Sequence, residues 1–532
     1  ADIEMADMIN FWGHNARGSH PIVFWRVADH KAKNDIPTLV VDPRRTGTVQ
    51  GLEDINPDKS HHFSTINGDI SIHNALAYAI LEKHPDAVDW DFLRDYSTGW
   101  QKYVEEVKRG YNPKQVEDRT MIPAAEIYKV AALWAEASLK GRRRGRGGVL
   151  SFWGLGYNQH LHGQNNTVSL INLMALTGNI GKPGSGFYYL NGSAGIIARK
   201  GVAPEYHAPD GGDAAPEISQ MDVPAALNDP DRFKAYMVWN CNPVASNPDQ
   251  AKMISGLARD DLFTVVIDPF PTDTASYADI VLPAASFLEF DDLSGSYFHL
   301  TVGAQVKAAE PMGDSLPNQE IFRRLATAMG FEQPFLHRTD QEMIDKALKS
   351  MDCGVGWEEL KEKGWVWGTA EPLNLWADGT FPTPSGKIEI ASEAARADGH
   401  PLAPLPTVDD HPSEGHLRLL SPAGKWLMNS SYGNDPRIQE LLGEPTVAIH
   451  PDDAGNLGIT DGQRVTLTNA AASLEMTAMV SDIIPAGTLL TDKSRWPNAE
   501  GGTNVNALHI PEKTDMGEST SVHGVEVTLS AA

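Results

Sequence analysis

Cysteine is nearly missing from this sequence: among its 532 residues, only Cys241 and Cys353 carry a thiol. Two cysteines are too few for a disulfide framework, for a four-cysteine zinc site or for the ligands of an iron–sulfur cluster. The composition therefore excludes disulfide-stapled proteins and any cluster held by this chain alone. We predict that both residues are ordinary buried thiols.

Long apolar runs are also missing. No stretch approaches the 18 consecutive apolar residues of a membrane-spanning segment, so we expect no membrane span. The first residues, Ala1 to Glu4, include neither Met nor the basic and apolar regions of a secretory leader. We expect a soluble protein, in the cytoplasm rather than the periplasm, which has lost a leader or whose sequence starts within a longer chain.

Positive charge is in short supply. The 44 Lys and Arg residues stand against 70 Asp and Glu residues, which gives a net charge of −26. Binding to nucleic-acid phosphates requires a basic face, so the composition argues against nucleic acid as a partner. Apolar residues are abundant, at 41% of the chain with 13 Trp. The length suits about three domains of roughly 150 residues each.

The first 200 residues alternate between short apolar runs and helical patterns. Strands are predicted at residues 7–12 and 37–41, a helix begins after Pro21, and a second helix is predicted over residues 70–83. Alternating strands and helices imply a mostly parallel sheet, whose ligands lie beyond the carboxyl ends of its strands.

We therefore predict an α/β fold with two Rossmann-like three-layer αβα domains and a C-terminal small β-barrel domain. The first α/β domain covers residues 1–200 and the second covers 201–367. A Gly- and Pro-rich crossing is predicted between Ile197 and Asp231, and a Pro-rich linker covers 368–416. Residues 417–532 contain short β-branched runs separated by Gly, Asp and Asn turns, which is typical of a small barrel.

One pattern occurs twice in the chain. In each copy a Trp precedes an Asn by three positions, and Ser and Pro follow that Asn by four and six positions. An apolar strand then ends in Asp-Pro, 27 residues after the first Asn and 26 after the second, and Thr follows each Asp by four and by six positions. The central residues of the copies are Asn15, Asp42, Thr46 and Thr48 in the first, and Asn242, Asp268, Thr272 and Thr274 in the second.

The repeated pattern suits a nucleotide. A helix start that follows a strand offers backbone N–H groups and a positive dipole end to phosphate. A carboxylate at the end of the next strand accepts hydrogen bonds from ribose hydroxyls or from the adjacent N–H donors of guanine. The same residue types also cap helices and form turns without any ligand. Because the pattern occurs twice at matched spacing, we predict two nucleotide-bearing ligands, one in each half.

Further motifs run in order along nearly the whole chain. They are WGHN at 12–15, VDPRRT at 41–46, GLGYNQH at 154–160, LTGNIGKPG at 176–184, VIDP at 266–269, ADIVLP at 278–283, PSGKIE at 384–389 and HPDDA at 450–454. Together they resemble the molybdopterin oxidoreductases of the dimethyl sulfoxide reductase superfamily. The resemblance implies a molybdenum bis(molybdopterin guanine dinucleotide) cofactor, whose two dinucleotides agree with the internal repeat.

The resemblance also implies which residues contact the cofactor. Asn15 and its loop face the phosphates of one dinucleotide, with Asp42 and Arg44 near its guanosine, while Lys425 is a phosphate partner and Trp426 a stacking face. The full set of implied cofactor contacts is Trp12, Gly13, Asn15, Ser19, His20, Asp42, Arg44, Thr46, Asp69, Leu155, Gly156, Gln159, Asn242, Asp268, Asn318, Lys425, Trp426, Asn429, Ser430 and Asn506.

No protein ligand of the metal is assigned. In the family this ligand, and the cysteines of any [4Fe–4S] cluster, precede the Trp-Gly-x-Asn loop, which begins here at residue 12. The resemblance thus implies a chain without the family's N-terminal portion. That segment, or an iron–sulfur electron-transfer subunit, is then an expected partner. His160 and His162 are candidates for proton transfer beside the cofactor; the alternative for each is a hydrogen-bonded structural histidine.

The predicted function is that of a molybdenum or tungsten oxidoreductase, moving an oxygen atom or two electrons to or from a small substrate. Formate-oxidising relatives follow Pro-Gly-x-Gly with Arg-Gly-Gln-Asn-Asn, whereas this chain has FYYLNG at 187–192, which favours an S-oxide, N-oxide or oxyanion. Two alternatives stay open. One is a non-catalytic or degenerate cofactor-binding fragment; the other is an NAD-type dehydrogenase, which the lack of an early Gly-x-Gly-x-x-Gly weakens.

Overall fold

The computed structural model describes residues 2–189, 192, 217–351, 353–369, 373–404 and 412–532. Contacts along the chain divide it into two compact units. Unit 1 comprises Ala1–Tyr189, Ser246–Gln250 and Asn374–Ala532, and unit 2 comprises Leu190–Ala245 and Ala251–Leu373. Each unit is described by itself below.

Unit 1 opens with a parallel sheet. The strands of this part of the chain are β1 Met8–Trp12, β2 Thr38–Val41, β3 Ser60–Phe63, β4 Ser97–Thr98, β5 Val149–Trp153 and β6 Gly186–Tyr188. The order across the sheet is β3-β2-β1-β5-β6, and every neighbouring pair is parallel. The strand order reverses between β1 and β5, and open α/β sheets bind their ligands at such a reversal.

Helices cover both faces of this sheet, so every residue of β1, β2 and β5 is buried. α2 begins with a Pro at its first position, which suits a helix start. α8 ends at Gly145, whose φ of 63° favours glycine. In chain order the helices are α1 Ala16–Ser19, α2 Pro21–Asn34, α3 Gly47–Glu53, α4 Asp69–Lys83, α5 Trp90–Tyr96, α6 Trp100–Gly110, α7 Pro113–Thr120, α8 Ala124–Arg144, α9 Leu155–Asn158 and α10 Gly163–Leu176.

Unit 2 contains a smaller parallel sheet and an antiparallel one. The parallel sheet has the order β7-β8-β9 and the antiparallel sheet the order β10-β11-β12, with β7 Ala235–Trp239, β8 Phe263–Asp268, β9 Ile280–Pro283, β10 Asp292–Ser294, β11 Thr301–Gln305 and β12 Trp365–Trp367. The helices that follow in chain order are α11 Val223–Leu227, α12 Pro243–Ser246, α13 Gln250–Leu257, α14 Asn318–Ala328, α15 Asp340–Met351 and α16 Trp357–Lys363.

The rest of unit 1 ends in a closed barrel. Before it come β13 Ile388–Glu389, which pairs in parallel with β4, and α17 Glu393–Ala397. The barrel strands are β14 Leu417–Leu420, β15 Thr446–Ile449, β16 Arg464–Thr468, β17 Ser473–Val480, β18 Thr488–Leu490 and β19 Val525–Ala531, with α18 Pro436–Leu442 and α19 Pro451–Leu457 between them. They close in the order β14-β18-β15-β17-β16-β19 around an apolar core, so no strand edge is left unpaired.

The predicted fold class, α/β with a C-terminal barrel, is confirmed. The predicted strand and helix starts in residues 7–83 agree with the structure to within one residue. The domain boundaries at 200, 367 and 416 remain predictions. The long crossing predicted from Ile197 to Asp231 lies outside the described residues as far as position 216.

One prediction from composition is wrong. Cys241 and Cys353 are free thiols, but both are partly exposed rather than buried. Each stands just outside a regular element, Cys241 after β7 and Cys353 after α15, where packing from both sides ends. In the described part of the chain, no helix is long and apolar enough to cross a membrane.

Candidate functional site

Three glycines bring the ends of β1 and β5 together in unit 1. Gly13 has a φ of 51°, and a Cβ there would lie 2.4 Å from the backbone nitrogen of Tyr157. A Cβ on Gly154 or Gly156 would lie 2.7 or 2.9 Å from the carbonyl oxygen of Gly13. Because backbone meets backbone, no larger residue fits at these positions. The loops that carry the predicted site residues are therefore fixed side by side at the reversal of the sheet.

The first copy of the sequence repeat forms a closed hydrogen-bond pattern. Oδ1 of Asn15 accepts from the backbone N–H of Thr48 at 3.3 Å and from its hydroxyl at 3.0 Å. The N–H of Arg17 donates to the same hydroxyl oxygen at 3.0 Å. We call this arrangement of three bonds the Asn–Thr latch. It joins the loop after β1 to the first turn of α3.

The second copy forms the same latch in unit 2. Oδ1 of Asn242 accepts from the N–H of Thr274 at 3.1 Å and from its hydroxyl at 2.8 Å, and the N–H of Val244 donates to that hydroxyl at 3.1 Å. Nδ2 of Asn242 also donates to Asp273 at 2.8 Å. The repeat seen in the sequence is thus a repeat of geometry, bond for bond.

The two aspartates of the repeat also form the same turn. Oδ1 of Asp42 accepts from the N–H of Arg44, and Oδ1 of Asp268 accepts from the N–H of Phe270, both at 2.9 Å. The side chains that follow differ. The guanidinium of Arg44 pairs with both carboxylate oxygens of Asp42 at 3.1 and 3.3 Å, whereas Phe270 leaves half of its surface exposed. Burial raises the pKa of Asp268.

The barrel reaches the loop between α9 and α10, which carries Gln159 and His160. Nζ of Lys493 lies 3.5 Å from Oε1 of Gln159, and the N–H of His523 donates to the carbonyl of Gln159 at 3.1 Å. The imidazole rings of His160 and His523 face each other with centroids 5.6 Å apart. Arg44 and Lys493 both act electrostatically on His523. We call His160, His523, Lys493 and Arg44 the cationic cluster.

The cationic cluster lacks partners for its donors. The Nδ1 atoms of His160 and His523 are buried, and neither has a hydrogen-bond partner in the described part of the chain. Burial lowers the pKa of His160 to about 4 and that of His523 well below its usual range. Burial also lowers the pKa of Lys493. Buried polar atoms of this kind normally have a partner, so the cluster fits an anionic group such as a dinucleotide phosphate.

His509 belongs to the same part of the barrel and is fully engaged. Its Nδ1 pairs with Oδ1 of Asn506 and its Nε2 pairs with the hydroxyl of Ser421, each at 2.9 Å. Burial lowers the pKa of His509 to about 3. Asn506 is therefore buried as the partner of a neutral histidine, which orients the segment behind the cluster.

The structure places the other predicted residues at element ends. Thr46 caps α3, buried Asp69 opens α4 and half-exposed Leu155 opens α9. Trp12 is fully buried under the loop, with its ring 4.2 Å from that of His73. Nδ1 of His20 contacts Nε2 of His14 at 2.9 Å and the hydroxyl of Ser19 at 3.0 Å, and Nδ2 of Asn318 donates to Asn240 at 2.8 Å.

The predicted barrel residues lie on an exposed segment. Nζ of Lys425 stands 4.5 Å over the ring of Trp426, a cation–π contact. Asn429 has a φ of 51°, and the carbonyl of Ser430 accepts from the indole N–H of Trp496 at 2.6 Å. These contacts hold the segment in place and leave Lys425 and Trp426 open to a ligand.

Sequence reasoning missed Lys493, His509 and His523. No periodic pattern marks these residues, since they stand in irregular segments of the barrel, more than 330 positions from Gln159 in the chain. The two Thr residues that form the latches were visible in the repeat. Their role as partners of Asn15 and Asn242 was not.

Comparison with known proteins identifies the family. Residues 1–328 match the family model "Molybdopterin oxidoreductase", and residues 417–526 match the model "Molydopterin dinucleotide binding domain". The chain is 30% identical over 530 residues to probable oxidoreductase YoaE of Bacillus subtilis, covering 95% of this chain and 72% of that protein. It is 27% identical over 536 residues to formate dehydrogenase H of Escherichia coli, covering 94% and 70%.

A solved structure agrees in fold. Acetylene hydratase from Pelobacter acetylenicus superimposes with a TM-score of 0.80 at 17% identity, covering all of this chain and 78% of that one. The chain belongs to the molybdopterin oxidoreductase family, a family of enzymes, and its barrel is a molybdopterin dinucleotide-binding domain. The predicted resemblance is confirmed, and the family match replaces the alternative of an NAD-type dehydrogenase.

Proposed function

We propose that this chain binds molybdenum or tungsten as a bis(molybdopterin guanine dinucleotide) and forms the catalytic subunit, or most of it, of an oxidoreductase. The observation that supports two dinucleotides is the Asn–Thr latch, which occurs in both halves with an aspartate turn beside it. A single nucleotide site would not need the second copy. When bound, the cofactor supplies the two-electron redox change and the exchangeable oxygen position.

In the first half, the loop after Asn15 would lie against phosphate. The latch occupies Oδ1 of Asn15, while its Nδ2 makes no hydrogen bond within the described residues and stays available as a donor. Asp42 is already paired by Arg44, so its carboxylate orients the guanidinium as well as accepting from ribose or guanine. Gly13, Ser19, His20, Thr46 and Asp69 complete this proposed set.

In the second half, Asp268 would read the base. Its carboxylate makes one hydrogen bond within the described residues, to Phe270 N–H, so it has capacity for the adjacent N–H donors of guanine. The exposed ring of Phe270 offers a face for stacking. Asn242 and Asn318 hold the neighbouring loops.

The cationic cluster would neutralise the anionic linkage of a dinucleotide. Both imidazoles have lowered pKa values, so each is neutral at pH 7 and can donate one hydrogen bond. An anion between them would favour the protonated forms and raise both pKa values. His160 and His162 are thereby proposed to hold and move a proton beside the pterin, with Leu155, Gly156 and Gln159 in contact with it.

The proposed substrate is a small S-oxide, N-oxide or oxyanion. The support is the sequence FYYLNG at 187–192, which departs from the stretch typical of formate-oxidising relatives; residues 190 and 191 of it lie outside the described residues. Lys425, Trp426, Asn429, Ser430 and Asn506 are proposed as cofactor contacts of the barrel. Electrons would come from an iron–sulfur partner, because the two cysteines of this chain cannot hold a [4Fe–4S] cluster.

The test is metal content followed by a substrate panel. The purified chain is analysed for molybdenum and tungsten, and then assayed with reduced viologen against S-oxides, N-oxides and nitrate, and with oxidised viologen against formate. The proposal predicts one metal per chain and oxidation of reduced viologen by at least one oxide or oxyanion. Bound metal without turnover in any assay would instead support the non-catalytic cofactor-binding protein, and turnover of formate alone would contradict the proposed substrate class.

A further inference from the structure

A hairpin of the barrel approaches the start of α10. Lys513 and Thr520 form an antiparallel bridge, and the N–H of Thr514 donates to the carbonyl of Ser519 at 2.8 Å. Asp515 lies at the tip of this hairpin. None of these residues belongs to the sequence repeat or to the predicted cofactor contacts.

The carboxylate of Asp515 accepts three hydrogen bonds from α10. Oδ1 accepts from the N–H of Gln164 at 2.8 Å. Oδ2 accepts from the N–H of Asn165 at 3.2 Å and from its Nδ2 at 2.5 Å. Bonds from N–H groups to a carboxylate are stronger than those between neutral groups, and the helix dipole adds to them. A residue 350 positions away thus caps the helix.

The same hairpin holds the loop that precedes α10. The N–H of Asp515 donates to the carbonyl of Leu161 at 2.8 Å, and that of His523 donates to the carbonyl of Gln159 at 3.1 Å. Alternate carbonyls of the loop therefore face the barrel. A Cβ on Gly517 would lie 3.0 Å from Nε2 of Gln164, so the hairpin already packs closely on the helix.

We propose that Asp515 is a positioning residue, which fixes residues 159–162 against the barrel and so sets the place of Gln159 and His160. The consequence for the dinucleotide rests on the proposed function; the effect on the loop does not. Asp515 also acts electrostatically on His162, whose pKa burial lowers and this carboxylate opposes. One side chain thus couples the barrel, the helix start and the loop.

The variants Asp515→Asn and Asp515→Glu separate charge from shape. Asn has the shape of Asp but one acceptor, so its amide would place a donor against the donors of Gln164 or Asn165. Glu keeps two acceptors on a longer stem. A purely steric cap would tolerate Asn better, since Asn is a good helix cap. Positioning by a charged double acceptor requires Glu to be tolerated better. Asp435→Asn is the matched control, because Asp435 caps α18 through the N–H of Arg437 at 2.8 Å.

The measurement is amide hydrogen exchange by mass spectrometry on the whole chain. We expect exchange over residues 159–166 to be about tenfold faster in Asp515→Asn, close to the parent rate in Asp515→Glu, and unchanged in Asp435→Asn. Unchanged exchange in Asp515→Asn, or a larger effect of Glu than of Asn, would overturn the proposal. If Asp515→Asn fails to fold, Gly517→Val displaces the hairpin while keeping the carboxylate, and the same peptides must exchange faster.

Guanine nucleotide retained after gel filtration gives the second measurement. The inference predicts faster nucleotide loss from Asp515→Asn than from Asp435→Asn. Faster exchange with parental retention would show that the loop position has no bearing on the dinucleotide and would overturn that part of the proposal. A parent chain without any nucleotide would defeat the proposed function, while the exchange comparison would still decide the role of Asp515.

Discussion

Nζ of Lys493, in the barrel, lies 3.5 Å from Oε1 of Gln159, in the loop after α9. This contact joins the dinucleotide-binding domain to the edge of the parallel sheet at the reversal of strand order. It also brings a cation whose pKa burial lowers next to two neutral imidazoles. Such an arrangement costs stability unless an anion is present, which makes it a place to test the account.

Replacing Lys493 by Met should have opposite effects on the empty and the loaded protein. Without ligand, the change removes a partly buried charge, so the melting temperature should stay the same or rise. With ligand, the loss of a charged donor should weaken retention of guanine nucleotide by about tenfold or more. Differential scanning calorimetry and nucleotide analysis measure the two effects. Lys307→Met, on an exposed segment of unit 2, is the control; equal retention in both variants would contradict the role of Lys493.

Breaking one Asn–Thr latch should remove one dinucleotide. Asn15→Ala leaves the N–H and hydroxyl of Thr48 without their acceptor, and Asn242→Ala does the same to Thr274. Each change should cost about 1–3 kcal/mol of unfolding free energy and reduce guanine nucleotide from two to one per chain. Asn34→Ala, which removes an amide of α2 outside the latches, should leave both nucleotides. Loss of both nucleotides in either latch variant would show that the halves do not load separately.

Acid should destabilise the cofactor-free protein through its buried histidines. Burial lowers the pKa of His73 to about 3, while an unfolded histidine titrates near 6.5. Between these values the unfolded state binds more protons, so stability is complete above pH 6.5 and falls as pH drops toward 3, by up to about 1.4 kcal/mol per pH unit for this group. Urea unfolding at pH 7.5 and 5 should show a smaller difference in His73→Asn than in the parent, whereas exposed His416→Asn should match the parent.

Lys31 should act in the opposite pH range. Its side chain is buried and donates to the carbonyls of Ile36 and Lys59 at 3.1 and 2.9 Å, and burial lowers its pKa to about 8. The unfolded lysine titrates near 10.4, so stability from this group rises as pH increases from 8 to 10.4 and is lost below 8. Urea unfolding of the parent and of Lys31→Met over that range should show the rise in the parent alone. Parallel curves would contradict the assignment.

The sequence predicted the elements that depend on local pattern. The apolar runs before Asp42 and Asp268 are strands, and the spacing of the repeat corresponds to two copies of one hydrogen-bond geometry. These features depend on residues within about 35 positions of each other. Strand and helix periodicity, together with turn residues, encode them directly.

The rest of the site depends on contacts that span most of the chain. Lys493 and His523 reach Gln159, and Asp515 reaches α10, through irregular segments of the barrel that carry no periodic signal. The role expected for Asn15 also required the structure, because the oxygen expected to face a ligand is occupied by Thr48. The predicted site residues remain proposals until a ligand is measured.

Guanine nucleotide per chain is the most direct measure of the central claim, that two dinucleotides bind through two equivalent latches. The chain is purified, denatured in acid, and the released guanine nucleotide is quantified against protein. The account predicts about two nucleotides per chain in the parent and one in either latch variant. One nucleotide in the parent, or none in a folded parent, would contradict it.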